Sequence, residues 1–370
     1  MIPAHKPYLD VIFKKLASQL NDDNAALVQT TQNDQMALRQ QFITVCQELP
    51  PQVKDRVKEE LFGDGPLGPL IKNKDITEII VNKYDQIYYE LDGQLWQQED
   101  CFYSPLTFNN FVQRILAESH RQLSQKNPFG AGMWRNLRFQ IVAPPVSESI
   151  TLNLRRKNSA VWSLDDFIKR NWCEKAQAKT LIELVQQKKN LLIVGTTGSG
   201  KTTILNSLAN CIDPFQRVVC IEDTAELSLP NGASCRLLTR HDPNNSFAPI
   251  DQGDLLVEAL RMRPDRIIMG EIRGPEAKDL IMCNGTGHTG NMSTLHANDP
   301  KQALWRLEML VQLGAPQWDP RSIRQMIRLG LDYIVVVEKI KGHRQLAGIY
   351  KLSSVEPSSI TLDCVYQRST

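Results

Sequence analysis

Residues 190–203 constrain the fold of this chain more than any other stretch. They read Asn-Leu-Leu-Ile-Val-Gly-Thr-Thr-Gly-Ser-Gly-Lys-Thr-Thr and contain the phosphate-binding pattern from Gly195 to Thr202. The apolar run Leu191–Val194 predicts the preceding strand, and residues 203–210 continue as an amphipathic helix. Glycines let the backbone turn tightly and aim N–H groups at phosphate oxygens, and the helix N-terminus adds partial positive charge. We therefore expect a nucleoside triphosphate site here.

The residue types of this loop also indicate how such a ligand would be held. Lys201 can reach the β- and γ-phosphates, and the Thr202 hydroxyl can ligate Mg²⁺. The sequence thus predicts a triphosphate and Mg²⁺ as ligands. The predicted contact set is Gly195, Thr196, Thr197, Gly198, Ser199, Gly200, Lys201, Thr202 and Thr203.

The overall composition is that of an ordinary soluble protein with more than one domain. The chain has 370 residues, of which 42% are hydrophobic and 23% charged, and its net charge is +2. This near balance of charge gives no sign of a nucleic-acid partner. We find no signal peptide, no apolar run as long as a membrane span and no CxxC spacing among the eight cysteines. We therefore expect a cytoplasmic protein without a transmembrane segment.

Two segments of different character precede the phosphate-binding loop. Residues 1–62 are polar and helical in pattern, which predicts a helical N-terminal extension, and a Gly/Pro-rich cluster follows at 63–69. Residues 63–157 then read as a small α/β domain. In it, short β-rich runs are joined by the turn signal Asp92-Gly93, and a helical pattern follows at 107–120.

The remaining residues, 158–370, alternate short apolar runs with helical patterns. This alternation predicts a parallel sheet with helices on both faces, an α/β architecture. Ser163 followed by Asp166 predicts the capped start of the first helix, and Tyr333–Glu338 with Gln345–Leu352 predicts a hairpin at the sheet edge. The predicted strands lie at 190–194, 217–221, 266–269 and 292–295.

Acidic residues follow two of these strands, at the edge where open α/β sheets bind their ligands. Glu222 and Glu226 come after the second strand, and Glu271 follows the third, with Gly270 where a nucleotide motif usually has Asp. A carboxylate beside the γ-phosphate can orient the attacking water or hold Mg²⁺. The three glutamates are therefore catalytic candidates, and Thr202 with Glu271 are candidate Mg²⁺ ligands. For Glu222 and Glu226 the alternative is that they only cap a turn.

A polar segment with two histidines follows. His288 and His296 bracket a short predicted strand that also carries Thr294. Their spacing does not match a zinc site, and no cysteine pair lies near. Beside the nucleotide strands they suit a γ-phosphate sensor, although a lone histidine is more often structural. We take His296, with Lys201, as a catalytic candidate and His288 as a nucleotide-binding candidate.

Four stretches together resemble the type II/type IV secretion ATPases. The phosphate-binding loop looks like the Walker A motif of that family. A glycine directly before the glutamate, as in Gly270-Glu271, is also typical of the family. The other three stretches are Ile221–Leu227, Leu260–Arg273 and Thr286–Asn298, which look like its Asp box, Walker B motif and His box.

Further stretches are most similar to the CpaF/TadA branch, which powers tight-adherence (Flp) pili. One is Arg236-Leu-Leu-Thr-Arg240, and this likeness adds Arg240 to the expected nucleotide contacts. Gly65–Leu70 and Ile76–Asn82 resemble the N-terminal domain of that branch. The resemblance covers roughly residues 63–356 and leaves residues 1–62 without a match.

The resemblance implies a RecA-like P-loop ATPase domain, a smaller PAS-like N-terminal domain and a homo-hexamer that binds ATP with Mg²⁺. Arginines of the N-terminal domain are expected to reach the triphosphate, in the same chain or from a neighbour. Arg138, Arg155 and Arg156 occupy the matching positions, with solvated surface charge as the alternative. Asn127–Trp134 replaces the usual acidic segment, which leaves the role of Arg135 open.

The implied function is ATP hydrolysis that moves the two domains. It would drive assembly of tight-adherence pili, or type II-like export, through an inner-membrane platform at the cytoplasmic face of that membrane. The alternative within the family is the ATPase of a conjugation-type type IV secretion system, which shares all four motifs. A nucleic-acid motor and a nucleotide-gated scaffold are further alternatives. Balanced charge argues against the first, and intact Lys201, Glu271 and His296 argue against the second.

Overall fold

The computed structural model describes residues 50–156, 161–240, 248–356 and 359–368. The chain divides into two compact units, residues 1–157 and residues 158–370. Most of the predicted N-terminal extension, residues 1–49, lies outside the described residues. None of the helices in the described ranges combines the length and apolarity that a membrane span requires.

The N-terminal unit is built on a six-stranded antiparallel sheet in the order β3-β2-β1-β6-β5-β4. The predicted hairpin turn at Asp92-Gly93 is confirmed, with φ of 53° and 77° at the two residues. The predicted helix at 107–120 is confirmed with slightly shifted ends. The elements are α1 Pro51–Phe62, a 3₁₀ turn Gly65–Leu67, α2 Gly68–Lys72, β1 Ile76–Lys83, β2 Gln86–Leu91, β3 Gln94–Gln97, α3 Pro105–Glu118, β4 Phe129–Trp134, β5 Leu137–Val142 and β6 Thr151–Arg156.

One face of this sheet holds the core of the unit. Helix α3 buries Phe111 and Ile115 against it, and Phe139 of β5 is fully buried beneath them. Because successive side chains of a strand point to opposite faces, the residues between the buried ones face away from the core. Arg138 and Arg155 are such residues, and both are exposed.

Helix α1 packs into this unit. Its Arg56 donates to Glu60 at 2.7 Å and to Asp100 at 2.7 Å, and Glu60 also accepts the backbone N–H of Tyr103 at 2.8 Å. The Arg114 guanidinium of α3 donates to the carbonyl of Leu61 at 3.1 Å. The last turns before residue 63, which the sequence assigns to an extension, are therefore held by the α/β unit.

The C-terminal unit carries an eight-stranded sheet in the order β14-β13-β12-β7-β11-β10-β8-β9. The six strands from β12 to β9 are parallel, and β13 and β14 are antiparallel. The elements are α4 Leu164–Lys169, α5 Lys175–Gln186, β7 Leu191–Gly195, α6 Lys201–Ala209, β8 Val218–Glu222, β9 Cys235–Leu238, α7 Gln252–Ala259, β10 Arg266–Met269, α8 Glu276–Gly285, β11 Met292–His296, α9 Pro300–Gly314, α10 Pro320–Gly330, β12 Tyr333–Ile340, β13 His343–Val355 and β14 Ile360–Gln367.

Helices cover both faces of this sheet, as the alternating pattern predicts. Along β7, Leu192 and Val194 join the cluster formed with α7 to α10, whereas Leu191 and Ile193 join the cluster formed with α4 to α6. A strand buried on both faces needs continuous apolar residues, which is why β7 reads as an unbroken apolar run. The C-terminal unit is thus a mostly parallel sheet with helices on both faces, the architecture expected of a RecA-like domain, and the N-terminal unit is a smaller α/β domain.

The ends of two helices were predictable from capping residues. The Ser163 side chain accepts the N–H of Asp166 at 3.2 Å, and Asp299 accepts that of Gln302 at 2.9 Å. The predicted edge position of the hairpin at 333–352 is wrong. Strand β12 pairs with β7 inside the sheet, and β14, which the sequence pattern did not reveal, adds the outer edge.

Candidate active site

The phosphate-binding loop connects β7 to α6, as predicted. Gly198 and Gly200 have φ of 74° and 99°, left-handed values that favour glycine. A Cβ at Gly195 would lie 2.2 Å from the carbonyl oxygen of Val337, so no side chain fits where the loop begins. Successive left-handed glycines turn backbone N–H groups inward and form an anion-binding concavity.

The side chains of the loop fit a polyphosphate. Lys201 is buried, and its ammonium group donates to the carbonyls of Gly195 at 3.0 Å and Thr196 at 2.9 Å. These two bonds hold a positive charge at the mouth of the N–H concavity. Among the described residues, the buried Oγ of Ser199 has no hydrogen-bond partner. The ammonium group fixed at this concavity of N–H groups is a donor set suited to phosphate oxygens.

A chain of three polar groups joins the loop to the neighbouring strands. Nζ of Lys201 lies 3.1 Å from Nδ1 of His296, and Nε2 of His296 lies 3.0 Å from Oε1 of Glu271. Because an ammonium group can only donate, Nδ1 of the imidazole is the acceptor, and the ring proton is on Nε2. His296 thus donates to Glu271 as a neutral imidazole.

The electrostatic surroundings of His296 support this neutral form. Its pKa is lowered, first by burial and then by the positive charges of Lys201, Arg306 and Arg273. Glu271 in turn lies near a cation, since Nε of Arg273 is 3.7 Å from its Oε2. Arg273 also forms an ion pair with Asp223 after β8. Lys201, the neutral imidazole of His296 and Glu271 thus form one chain at the phosphate loop, and Arg273 contacts both Glu271 and Asp223.

The close packing around residue 270 favours glycine at this position, directly before Glu271. A Cβ at Gly270 would lie 3.2 Å from Cγ of Glu222, which is tighter than a usual contact. The carbonyl of Gly270 accepts a hydrogen bond from the Thr294 hydroxyl at 2.7 Å. That bond ties the end of β10 to β11 and so fixes Glu271 beside His296.

Glu222 has a different environment from Glu271. It is 3% exposed, and its Oε1 accepts the backbone N–H groups of Glu226 and Leu227 at 2.9 and 2.8 Å. Its Oε2 accepts from Nε of Arg236 at 2.8 Å. With both oxygens occupied, Glu222 holds the turn that follows β8. Of the roles that the sequence left open for Glu222, the geometry favours the turn-holding one.

The comparisons with known proteins identify the family of the chain. The family described as type II/IV secretion system protein matches residues 60–338 of the chain. The chain belongs to the type II/IV secretion system protein family. Members of this secretion ATPase family hydrolyse ATP, so the protein is an ATP-hydrolysing enzyme.

Two relatives illustrate the family resemblance. A Mycobacterium tuberculosis protein named for conjugal transfer is 30% identical over 309 residues, 81% of this chain and 87% of the relative. The type IV secretion system protein PtlH of Bordetella pertussis is 32% identical over 305 residues, 75% of this chain and 89% of PtlH. Neither name singles out the CpaF/TadA branch.

Solved structures of secretion ATPases have the same fold. The ATPase DotB of Legionella pneumophila superposes with a TM-score of 0.55 at 19% identity, over 80% of this chain and 81% of DotB. The pilus retraction motor PilT with bound ADP gives a TM-score of 0.55 at 20% identity, over 76% and 80% of the two chains. At these identities the likeness establishes the architecture alone.

Two predicted nucleotide contacts of this secretion ATPase lie elsewhere on the C-terminal unit. His288 precedes Asn291, whose N–H donates to Asn190 at 3.0 Å just before β7 begins. His288 is therefore at the amino edge of the sheet, opposite the phosphate loop, and does not line this site within the chain. Arg240 follows β9 at the far side of the sheet, where it donates to the carbonyl of Ala248 at 2.9 Å.

The predicted arginines of the N-terminal unit fall into two groups. Arg138 and Arg155 are cross-strand partners on the exposed face of β5 and β6. Arg156 points to the other face, where it donates to the carbonyls of Ile71 at 2.8 Å and Asn73 at 2.9 Å. Those carbonyls lie at the C-terminal end of α2, so Arg156 caps that helix. The structure thus brings Arg138 and Arg155 together and separates Arg156 from them.

Several residues of the site escaped the sequence analysis. Arg273 stands two residues after Glu271, a spacing that could have marked it as a neighbour of the carboxylate. Thr294 was noted only as part of the histidine segment, although it bonds to Gly270. Arg344 donates to the carbonyl of Gly198 at 2.9 Å, and no local pattern predicts that contact because 146 residues separate the two.

Proposed function

We propose that this enzyme is the ATPase of a conjugation-type type IV secretion system. Support comes from its membership in the secretion family and from relatives named for conjugal transfer and type IV secretion. The observation that carries the enzymatic part is the chain Lys201–His296–Glu271, which links the phosphate loop to a carboxylate on the adjacent strand.

In the proposed reaction Lys201 binds the β- and γ-phosphate oxygens, and Thr202 with the carboxylate of Glu271 would hold Mg²⁺ or its water shell. The metal supplies charge neutralisation of the phosphates when it is bound. Glu271 accepts a proton from the attacking water, and His296 keeps the carboxylate oriented through Nε2–H. Arg273 balances the negative charge beside Glu271. Glu226 is the rival base.

We further propose that six chains form a ring at the cytoplasmic face of the inner membrane, against a platform of the secretion machine. In this arrangement Arg138 and Arg155 contact the triphosphate, in the same chain or from a neighbour. Their placement side by side on an exposed sheet face supports a joint role. The four carbonyl bonds of Arg156 argue for a structural role instead.

Replacing both exposed arginines tests this assignment. Arg138→Ala with Arg155→Ala should lower ATP turnover about tenfold, because two charge-assisted contacts to the phosphates are lost. Arg121→Ala, also exposed on the N-terminal unit, is the matched control and should hydrolyse ATP normally. Light scattering with a non-hydrolysable ATP analogue and Mg²⁺ should show a hexamer for wild type. A strict monomer at micromolar concentration, or full turnover in the double variant, contradicts the proposal.

A second candidate is the motor of tight-adherence pili. The observation in its favour is the similarity of Gly65–Leu70, Ile76–Asn82 and Arg236–Arg240 to the CpaF/TadA branch. The two functions share all four nucleotide motifs, so the reaction chemistry does not separate them.

An experiment in the bacterium that carries the gene separates the two candidates. A Lys201→Ala allele should abolish substrate transfer to recipient cells and leave tight-adherence pili intact on the cell surface. Lys179→Ala, an exposed lysine of α5, is the control allele and should retain transfer. Loss of pili with normal transfer would instead select the CpaF/TadA assignment.

A further inference from the structure

The hairpin of β12 and β13 extends past the carboxyl end of β7, the strand that leads into the phosphate loop, and reaches that loop. The register of β12 with β7 runs from Tyr333↔Leu191 to Val336↔Val194, and β12 then continues to Ile340. Lys341 and Gly342 make the turn, with φ of 47° and 87°. Four residues of β12 therefore lie beyond its last pair with β7, on the side where the loop begins.

One side chain of this hairpin bonds to the loop. Nε of Arg344 donates to the carbonyl oxygen of Gly198 at 2.9 Å. Cδ of Arg344 would also lie 3.3 Å from a Cβ at Gly200, so its aliphatic stem rests against the second left-handed glycine. Arg344 thus contacts the loop at both of its left-handed glycines, Gly198 and Gly200.

Because the peptide bond is planar, the bond from Arg344 to the Gly198 carbonyl also fixes the direction of the Ser199 N–H. The carbonyl of Gly198 and the N–H of Ser199 belong to one peptide unit and point in opposite directions. A guanidinium that holds the carbonyl outward therefore holds the N–H inward. That N–H donates to the carbonyl of Thr196 at 3.3 Å, on the inner side of the loop, where the Lys201 ammonium group also donates to the same carbonyl.

Apart from the bond between the Ser199 N–H and the Thr196 carbonyl, the loop has little else to fix this peptide. A Cβ at Gly198 would meet no atom within 4 Å, so packing does not restrain the residue. Glycine also has more backbone freedom than any other residue. A charge-assisted hydrogen bond from a planar, permanently charged group is a strong restraint in such a place. It also polarises the amide and makes the N–H a better donor.

We propose that Arg344 is a positioning residue for ATP binding, which preorganises the Gly198–Ser199 peptide for the phosphates. It acts through the loop backbone and has no part in the chemical step. ATP therefore binds with a smaller ordering cost when Arg344 is present. Sequence separation hides this role, since Arg344 belongs to none of the four nucleotide motifs.

The test compares Arg344→Ala, Arg344→Lys and Lys339→Ala in the purified full-length enzyme with saturating Mg²⁺. Lys339 is the cross-strand partner of Arg344 and carries the same charge at the same hairpin tip. Arg344→Ala should raise the KM for ATP about tenfold and change kcat less than twofold, the size expected for one charged hydrogen bond. Arg344→Lys should give an intermediate KM, and Lys339→Ala a wild-type one.

A binding measurement separates loop positioning from chemistry. In a Glu271→Gln background, the Kd of a fluorescent ATP analogue should rise with Arg344→Ala by the same factor as KM. The melting temperature without nucleotide should stay within about 2 °C, since Arg344 is exposed. An unchanged KM in Arg344→Ala, an equal rise in Lys339→Ala, or a fall in kcat at constant KM each overturns the proposal. None of these readouts depends on which secretion pathway the enzyme serves.

Discussion

The strands of the eight-stranded sheet carry polar side chains at their amino ends, here called the amino edge, and at their carboxyl ends, the carboxyl edge. The hydrogen bonds of these side chains are satisfied in different ways at the two ends. At the amino edge, Arg266 is 2% exposed and donates to the carbonyls of Val185 at 2.8 Å and Gly290 at 3.3 Å. Asn291 accepts the N–H of Ile267 at 2.7 Å and donates to Asn284 at 2.7 Å. Most of these partners are backbone groups that cannot move without unfolding.

At the carboxyl edge the polar groups bond largely to one another. Lys201 contacts His296, His296 contacts Glu271, and Glu271 lies near Arg273. The side chains of Glu271 and His296 are about one-third exposed. Glu271 and His296, which are partly exposed and bonded to other side chains, can exchange a partner for a ligand at little cost, whereas Arg266 is buried against backbone carbonyls. We propose that the polar groups at the amino ends of the strands stabilise the fold and that those at the carboxyl ends perform the reaction.

The largest effect on activity should come from Lys201. Lys201→Ala should lower ATP turnover about 1,000-fold, because the β- and γ-phosphates lose their main side-chain cation. The melting temperature should change little, since the ammonium bonds to two loop carbonyls and to His296, all within the proposed site. Phosphate release and thermal unfolding of the same preparation check both statements. Near-normal turnover in a folded Lys201→Ala protein would contradict the site.

A smaller effect should follow from removing the base alone. Glu271→Gln should lower kcat about 100-fold and retain ATP binding, because an amide keeps the shape of the side chain and cannot accept the proton. Glu226→Gln is the matched comparison and should change kcat less than threefold. The opposite result, with Glu226→Gln inactive and Glu271→Gln active, would move the base to the loop after β8.

The pH dependence should show the neutral histidine. Because the pKa of His296 is lowered from its ordinary value, the imidazole protonates only below about pH 6.5. Protonation removes the acceptor at Nδ1 and repels Lys201, so activity should be constant above this range and fall several-fold below it. Because the pKa of His296 is lower in the folded than in the unfolded state, protonation of this residue also favours unfolding. The free energy of unfolding should therefore decrease as the pH falls through this range. The pH–activity profile of His296→Gln should lack this fall at low pH. A wild-type profile whose midpoint lies above pH 7 would contradict the neutral tautomer of His296.

Local patterns gave a good account of the elements of this fold and of the residues that follow each strand. The run Leu191–Val194, the Asp92-Gly93 turn and the Ser163 cap each act within a few residues, so their structures could be predicted from sequence. Edge assignment failed for β12 because strand order depends on contacts between distant segments.

The site shows the same limit. Glu271 and His296 lie at strand ends and could be proposed from the pattern, whereas the bond between them depends on the pairing of β10 with β11. His288 precedes the five-residue strand that ends at His296, so the two histidines lie at opposite ends of that strand, and the nucleotide contact of His288 stays a prediction. Arg344 could not be found at all, since its partner Gly198 is remote in sequence.

The most direct test of the division between the two edges measures turnover and stability in one pair of variants. Glu271→Gln should lose about 100-fold in kcat and keep the wild-type melting temperature. Arg266→Met should keep the wild-type kcat and KM but melt roughly 8 °C lower, because two carbonyls and Gln216 lose a buried donor at a cost of about 3 kcal/mol. A result in which Arg266→Met loses turnover at unchanged stability, or Glu271→Gln unfolds early with normal turnover, would contradict the account.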